Sequence, residues 1–130
     1  MAVGVLLVTH AGIGTAMIAV ANALLRNLPL KVEAFEVPYD VDPETLLPRA
    51  SAALRRVDDG HGVLVLTDLY GATPSNLAAR LARLGTPVRR VSALSLPMLL
   101  RVLNYAELEL DELPAVAAAG ARNGVIHDDA

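Results

Sequence analysis

The sequence predicts an α/β domain with a doubly wound, mostly parallel sheet of strand order 2-1-3-4. Two short and almost entirely apolar runs, 3–8 and 62–67, are typical of strands buried on both faces of a parallel sheet. Stretches rich in alanine and leucine at helical spacing alternate with these and other strand-like runs. Strands and helices that alternate at this length favour a parallel sheet covered by helices on both faces.

Each element is bounded by residues that begin or end regular structure. We expect strands over 3–8, 31–37, 62–67 and 88–93 and helices over 15–28, 42–57, 75–84, 95–103 and 111–122. In the first half, Pro29 ends the first helix, and the alternation of polar and apolar residues over 31–37 is typical of a strand near a sheet edge. Asp42 and Pro43 begin the second helix as an N-cap followed by proline, and Pro48 within it predicts a bend or a late start.

The second half of the chain repeats this alternation. The third strand ends at Asp68, and the glycine and proline of the turn at 85–87 separate the third helix from the fourth strand. Ser95 caps the fourth helix, and a fifth helix precedes the segment 124–127, which we expect to form a short final strand.

Length and composition limit the kinds of function that the chain can have. Its 130 residues correspond to one domain, which we place at 1–127 with a loose tail at 128–130. A single lysine, an acidic net charge of −3 and only four aromatic residues argue against a nucleic-acid partner. The absence of cysteine excludes disulfides and zinc–thiolate sites. Because no apolar run is long enough to span a membrane and no signal peptide is recognisable, we expect a soluble cytoplasmic protein.

The best candidates for chemistry follow two strands that the strand order makes neighbours. His10 ends the first strand and Asp68 the third, at the point where the strand order reverses and where open α/β sheets bind ligands. A carboxylate that accepts the Nδ1–H of an imidazole fixes its tautomer and leaves the Nε2 lone pair free to act as a nucleophile or base. His61, by contrast, precedes the third strand and falls at the opposite edge of the sheet.

The turns that follow these strands offer hydrogen-bond donors for an anion. Backbone N–H groups at Gly12 and in the turn containing Gly71 and Ala72 precede helices, and Thr73 adds a hydroxyl. These turns contain no metal-ligand cluster and no second carboxylate. The pattern therefore indicates transient phosphoryl transfer to Nε2 of His10, with neither a metal nor a cofactor.

Each of these residues also has an ordinary structural interpretation. A histidine at a strand end is most often solvated, and Asp68 alone is more often a turn cap. Gly12 and Gly14 together are more often turn residues than a nucleotide site. An alternative function is a noncatalytic nucleotide-binding module using these glycines and Glu36, although Met17 stands at the third small position of the dinucleotide fingerprint.

Three segments carry a resemblance to a known family, namely 4–12 (GVLLVTHAG), 67–76 (TDLYGATPSN) and 96–99 (LPML). In these segments the chain resembles the mannose-class IIA component of the bacterial phosphoenolpyruvate-dependent sugar phosphotransferase system. The resemblance implies a phosphotransferase in which His10 accepts a phosphoryl group from phospho-HPr and passes it to a histidine of a IIB partner. It also implies that Asp68 orients His10, and that Thr73 binds the phosphoryl group together with amides of its turn.

The resemblance extends to the assembly. It implies a homodimer that exchanges the C-terminal strand at 124–127, and contact with the membrane only indirectly, through a permease. With no room for a fused IIB domain, we expect a bare IIA unit. Ser75 replaces an aromatic residue of the family and Ser95 an asparagine, which affects the rim of the site and the choice of partner. Whether the phosphoryl group reaches a sugar or remains as a regulatory signal stays open.

Overall fold

The computed structural model describes residues 2–128, which form a four-stranded parallel sheet with helices on both faces. In chain order the elements are β1 (Gly4–His10), α1 (Gly14–Leu25), β2 (Val32–Val37), α2 (Pro43–Val57), β3 (Val63–Thr67), α3 (Thr73–Leu81), β4 (Val88–Val91), α4 (Leu96–Leu103) and α5 (Leu113–Asn123). The strand order β2-β1-β3-β4 confirms the predicted doubly wound topology.

The apolar strands divide their side chains between two cores. Along β1, Val5 and Leu7 pack into the core beneath α1, α4 and α5, whereas Leu6 and Val8 pack into the core beneath α2 and α3. Residues of β3 alternate in the same way, because successive side chains of a strand point to opposite faces. This two-sided burial explains why the central strands lack the polar alternation of a half-exposed strand. Among residues 2–128, no helix combines the length and the apolar content needed to cross a membrane.

Some element boundaries differ from those predicted. α1 ends at Leu25 rather than at residue 28, because Arg26 has a positive φ of 67°, which is incompatible with continuing a right-handed helix. α3 begins at Thr73, two residues before the predicted start. The expected bend at Pro48 does not divide α2, which is assigned as one helix from Pro43 to Val57. Pro48 is exposed, so water can replace the N–H donor that proline lacks.

The predicted strand at 124–127 does not form within the described chain. Gly124 donates its N–H to Gly120 and Val125 donates to Arg122, so both amides extend the end of α5 instead of pairing with a strand. Val125 and Ile126 are 78% and 76% exposed. Of the predicted tail, residues 129 and 130 lie outside the described part of the chain.

Candidate active site

His10 and Asp68 meet at the carboxyl edge of the sheet, where β1 and β3 end side by side. Asp68 Oδ2 lies 2.7 Å from His10 Nδ1 and accepts the backbone N–H of His10 at 3.0 Å. Its other oxygen, Oδ1, accepts the N–H of Leu69 at 3.1 Å. Because an ionised carboxylate can only accept hydrogen bonds, a neutral His10 carries its proton on Nδ1 and presents the lone pair of Nε2.

The environment keeps Asp68 ionised. Burial raises the pKa of the Asp68 carboxyl, but hydrogen bonds from the His10 ring and from backbone N–H groups outweigh burial and hold that pKa below its usual value. The Asp68 side chain is 11% exposed and that of His10 is 26% exposed. A negative charge is therefore held against a partly open imidazole and can stabilise positive charge that develops on the ring.

Thr9 fixes the backbone beside His10. Its fully buried hydroxyl donates to the His10 carbonyl at 2.8 Å and accepts the N–H of Gly14 at 3.0 Å. The start of α1 is thereby tied to the end of β1. Our reading of the sequence missed this role, although a threonine at the end of an otherwise apolar strand was the available signal.

The start of α1 is not an open anion site, which corrects the role predicted for Gly12. The carboxylate of Glu36 accepts the N–H of Gly12 at 3.0 Å and that of Thr15 at 2.9 Å. These two backbone hydrogen bonds lower the pKa of Glu36 below its ordinary value. Because Gly14 donates to Thr9, the amides that were expected to hold a phosphate here are satisfied within the chain.

At the start of α3, in contrast to α1, no side chain caps the backbone N–H groups. Gly71 has a φ of 84°, a conformation that glycine adopts without strain, and the N–H of Ala72 closes the turn on the carbonyl of Leu69 at 3.3 Å. Ala72 therefore does not offer the free amide that the sequence suggested. Thr73 is exposed and begins α3, where Ala72 provides no side-chain cap. Pro74 has no N–H and Asn76 donates to the carbonyl of Ala72, so the uncapped donors of this first turn are the N–H groups of Thr73 and Ser75.

Tyr39 contacts the site although our reading of the sequence did not identify it. Its ring stacks on the imidazole of His10, with centroids 5.9 Å apart and planes inclined by 22°. The available signal was its position: Tyr39 follows β2 at the carboxyl edge of the sheet, in a chain with few aromatic residues.

The opposite edge of the sheet contains a separate cavity of about 480 Å³. It is lined in part by His61, Arg89 and Asp111, and the last two form an ion pair at 2.6 Å. His61 thus lies away from His10, as the sequence predicts. Within residues 2–128, no group of three or more histidine, aspartate or glutamate side chains is arranged to hold a metal ion.

The family model described as "PTS system fructose IIA component" (EIIA-man) matches residues 4–118. The chain belongs to this family. It is 30% identical over 113 residues to the transcriptional regulatory protein LevR of Bacillus subtilis, covering 83% of this chain. It is 28% identical over 127 residues to the mannose-specific EIIAB component of Escherichia coli K12, covering 96% of this chain. This IIA chain spans only 12% and 39%, respectively, of the lengths of these two relatives.

A solved structure supports the same fold for this IIA domain. The mannose/sorbose-specific IIA subunit of the phosphotransferase system from Enterococcus faecalis superimposes with a TM-score of 0.87 at 22% identity. The superposition covers 100% of this chain and 97% of the other. At this identity the likeness establishes the fold, and the chemistry has to be argued from the side chains at the site.

Proposed function

We propose that this IIA domain is a cytoplasmic phosphocarrier whose His10 accepts a phosphoryl group from phospho-HPr and donates it to a histidine of a IIB partner. The observation that carries the proposal is the double contact of Asp68 Oδ2 with the ring and the backbone N–H of His10. This contact fixes the tautomer and anchors the Nδ1 edge of the ring. Membership of a sugar phosphotransfer family supports the same chemistry.

The transfer needs no proton relay. The Nε2 lone pair of His10 attacks phosphorus in line, while the bond between phosphorus and the donor nitrogen breaks and its electron pair returns to the donor ring. Nδ1 of His10 keeps its proton, so the phosphorylated ring becomes positively charged. The Asp68 carboxylate, 2.7 Å from Nδ1, stabilises that charge, and the reverse sequence releases the group to IIB.

The phosphoryl oxygens bind at the start of α3. Thr73 offers its hydroxyl and its N–H, and the open turn at Gly71 allows the backbone to approach the anion closely. The N-terminus of this helix carries partial positive charge, which favours a negative group. The start of α1 does not contribute, because Glu36 already occupies its amides.

Labelling with phosphoenolpyruvate tests the proposal. The protein is incubated with radiolabelled phosphoenolpyruvate, the general phosphotransferase enzyme and HPr, and the label is followed on gels and by its acid lability. We expect wild type and the control His61→Ala to become labelled, and His10→Ala to remain unlabelled. His61 is a suitable control because it is exposed and precedes β3 at the far edge of the sheet. Label on His10→Ala, or none on wild type, would show that the proposal is wrong.

A regulatory role is a second candidate, favoured by the 30% identity to a transcriptional regulatory protein. In that case the phosphorylation state of His10 is read by a partner, and the group does not continue to a sugar. Adding purified IIB protein to labelled IIA separates the two candidates. Movement of label to IIB supports transport, whereas retention of label and partner binding that depends on phosphorylation support regulation.

We also propose a homodimer in which the segment 125–127 pairs with the sheet of a second copy. Val125 and Ile126 are exposed apolar residues, and within residues 2–128 the edge strand β4 pairs with β3 alone. Light scattering coupled to gel filtration tests this for wild type and the double variant Val125→Asp/Ile126→Asp. We expect a dimer for wild type and a monomer for the variant; a monomeric wild type contradicts the proposal.

The nucleotide-binding alternative has lost its structural support. It required Glu36 to bind a ribose and the glycine turn to hold a pyrophosphate. In the structure, however, the Glu36 carboxylate accepts a hydrogen bond from the N–H of Gly12. We expect calorimetry with ATP and NAD at millimolar concentration to give no binding heat.

A further inference from the structure

The contact between Tyr39 and His10 is an aromatic stack at the open side of the candidate active site. The centroid separation of 5.9 Å and the inclination of 22° fall within the range of favourable offset stacking. Tyr39 is 66% exposed, so its ring contributes little to either core. The stack on His10 is therefore the main contact that the Tyr39 ring makes.

The backbone around Tyr39 directs the ring to this place. Val37, the last residue of β2, is the direct register partner of His10 on β1, and Tyr39 follows two residues later. Pro38 restricts the intervening backbone, and Asp40 adopts a left-handed conformation with φ of 62°. Asp42 then caps α2 by accepting the N–H of the residue two positions on. A short segment held at both ends therefore carries the ring.

Asp68 holds the imidazole at one edge only. The carboxylate contacts the ring at Nδ1, and the rotation of a histidine ring about its Cβ–Cγ bond has a broad energy profile, so a single hydrogen bond leaves room for the ring to tilt about that contact. A ring stacked on one face of the imidazole limits this tilt. The stack therefore adds a second restraint on the plane of the ring, while Asp68 determines which nitrogen carries the proton.

We propose that Tyr39 is a positioning residue for His10: it fixes the plane of the imidazole and stabilises the positive charge of the phosphorylated ring. This inference rests on the proposed phosphocarrier function. An aromatic face within about 6 Å of a cation attracts it electrostatically, so the stack becomes stronger when Nε2 is phosphorylated and Nδ1 keeps its proton. The phenol hydroxyl has no part in this action, and phenylalanine can replace tyrosine.

Three variants test the proposal against the wild-type chain. Tyr39→Ala removes the stack, Tyr39→Phe retains it, and Tyr105→Ala removes another exposed tyrosine, which lies just after α4. The measurements are the chemical shifts of the His10 ring protons by NMR, the single-turnover rate of phosphorylation by phospho-HPr, and the phosphorylated fraction at a fixed ratio of phospho-HPr to HPr. Thermal melts confirm that each variant is folded.

For Tyr39→Ala we expect altered His10 ring shifts and a loss of about two- to tenfold in rate and in the phosphorylation equilibrium, the range that one aromatic stack provides. Tyr39→Phe and Tyr105→Ala should match wild type. If wild type is labelled and Tyr39→Ala reacts equally fast, or if Tyr39→Phe is as slow as Tyr39→Ala, the role of the stack is refuted while the phosphocarrier proposal stands. If wild type is never labelled, both proposals fail.

Discussion

Replacing Asp68 by asparagine tests the orientation of His10 most directly. The substitution keeps the size of the side chain and one acceptor oxygen but removes the charge. Asp68 receives hydrogen bonds from the ring of His10 at 2.7 Å, from the backbone N–H of His10 at 3.0 Å and from that of Leu69 at 3.1 Å. With its oxygen in the place of Oδ2, the amide still accepts from the backbone of His10, and only the N–H of the exposed Leu69 has to bond to water instead, so the fold should persist. The charge opposite Nδ1 is lost.

The size of the effect follows from that single contact. A hydrogen bond to a charged group contributes about 1.5–3 kcal/mol, which corresponds to a rate loss of about 10- to 100-fold. If the amide nitrogen turns toward Nδ1, it selects the tautomer with the proton on Nε2 and removes the attacking lone pair, which increases the loss. We expect the stability to change by about 1 kcal/mol, or about 4 °C in Tm.

The assay is single-turnover phosphorylation by phospho-HPr with rapid quenching, alongside a thermal melt. Asp58→Asn is the matched control, because Asp58 also accepts two backbone hydrogen bonds, from Gly60 at 2.8 Å and Gly62 at 3.2 Å, but follows α2 at the other edge of the sheet. A wild-type rate for Asp68→Asn would remove Asp68 from the mechanism. If Asp58→Asn is phosphorylated slowly although its Tm is unchanged, the loss of rate in Asp68→Asn is not specific to the site.

Three further predictions concern stability. Glu36→Gln, which removes a charge at the start of α1, should lower the free energy of unfolding by about 0.5–1 kcal/mol in urea titrations, and an unchanged value would contradict the capping role. Gly4→Ala should cost about 3 kcal/mol in the same titrations, because the new Cβ would lie 2.1 Å from the backbone oxygen of Val57, and a fully stable variant would refute that close contact. Since the pKa values of Asp68 and Glu36 are lowered by folding, their stabilising contribution should be complete above pH about 5, where both groups are also ionised in the unfolded chain, and disappear as the pH falls through the lowered values. Unfolding measured from pH 7 to pH 3 should show this fall, with a smaller fall in the double variant Asp68→Asn/Glu36→Gln.

The pairing of His10 with Asp68 was predictable because it depends on short-range signals. Each residue directly follows or ends an apolar run that is recognisable as a buried strand, and parallel strands bring their carboxyl ends to one edge. Once the strand order is 2-1-3-4, the two side chains become neighbours. Local sequence and one topological rule were sufficient.

The donors for the phosphoryl group were harder to predict. Gly12 and Gly71 look equivalent in the sequence, since each lies in a turn that leads into a helix. In the structure the N–H of Gly12 donates a hydrogen bond to the carboxylate of Glu36, which lies 24 positions further along the chain. The start of α3, by contrast, has no side-chain cap. Competition between a side chain and a ligand for the same amide is decided by distances that no local pattern contains.

The sequence by itself determined the class of fold and the two strand ends that carry the pair of side chains at the centre of the site, because burial patterns and strand ends are properties of short segments. The strand order was predicted as the one common in doubly wound folds, and the structure confirms it. Only the tertiary structure decided which helix start remains open, that Tyr39 stacks on His10, and that residues 124–128 make no strand with the rest of the described chain. These features depend on contacts between β2, β1 and the turns that follow them. Hydrogen bonds and ring contacts of this kind have ranges of a few ångströms, so they exist only once the sheet has brought distant segments together.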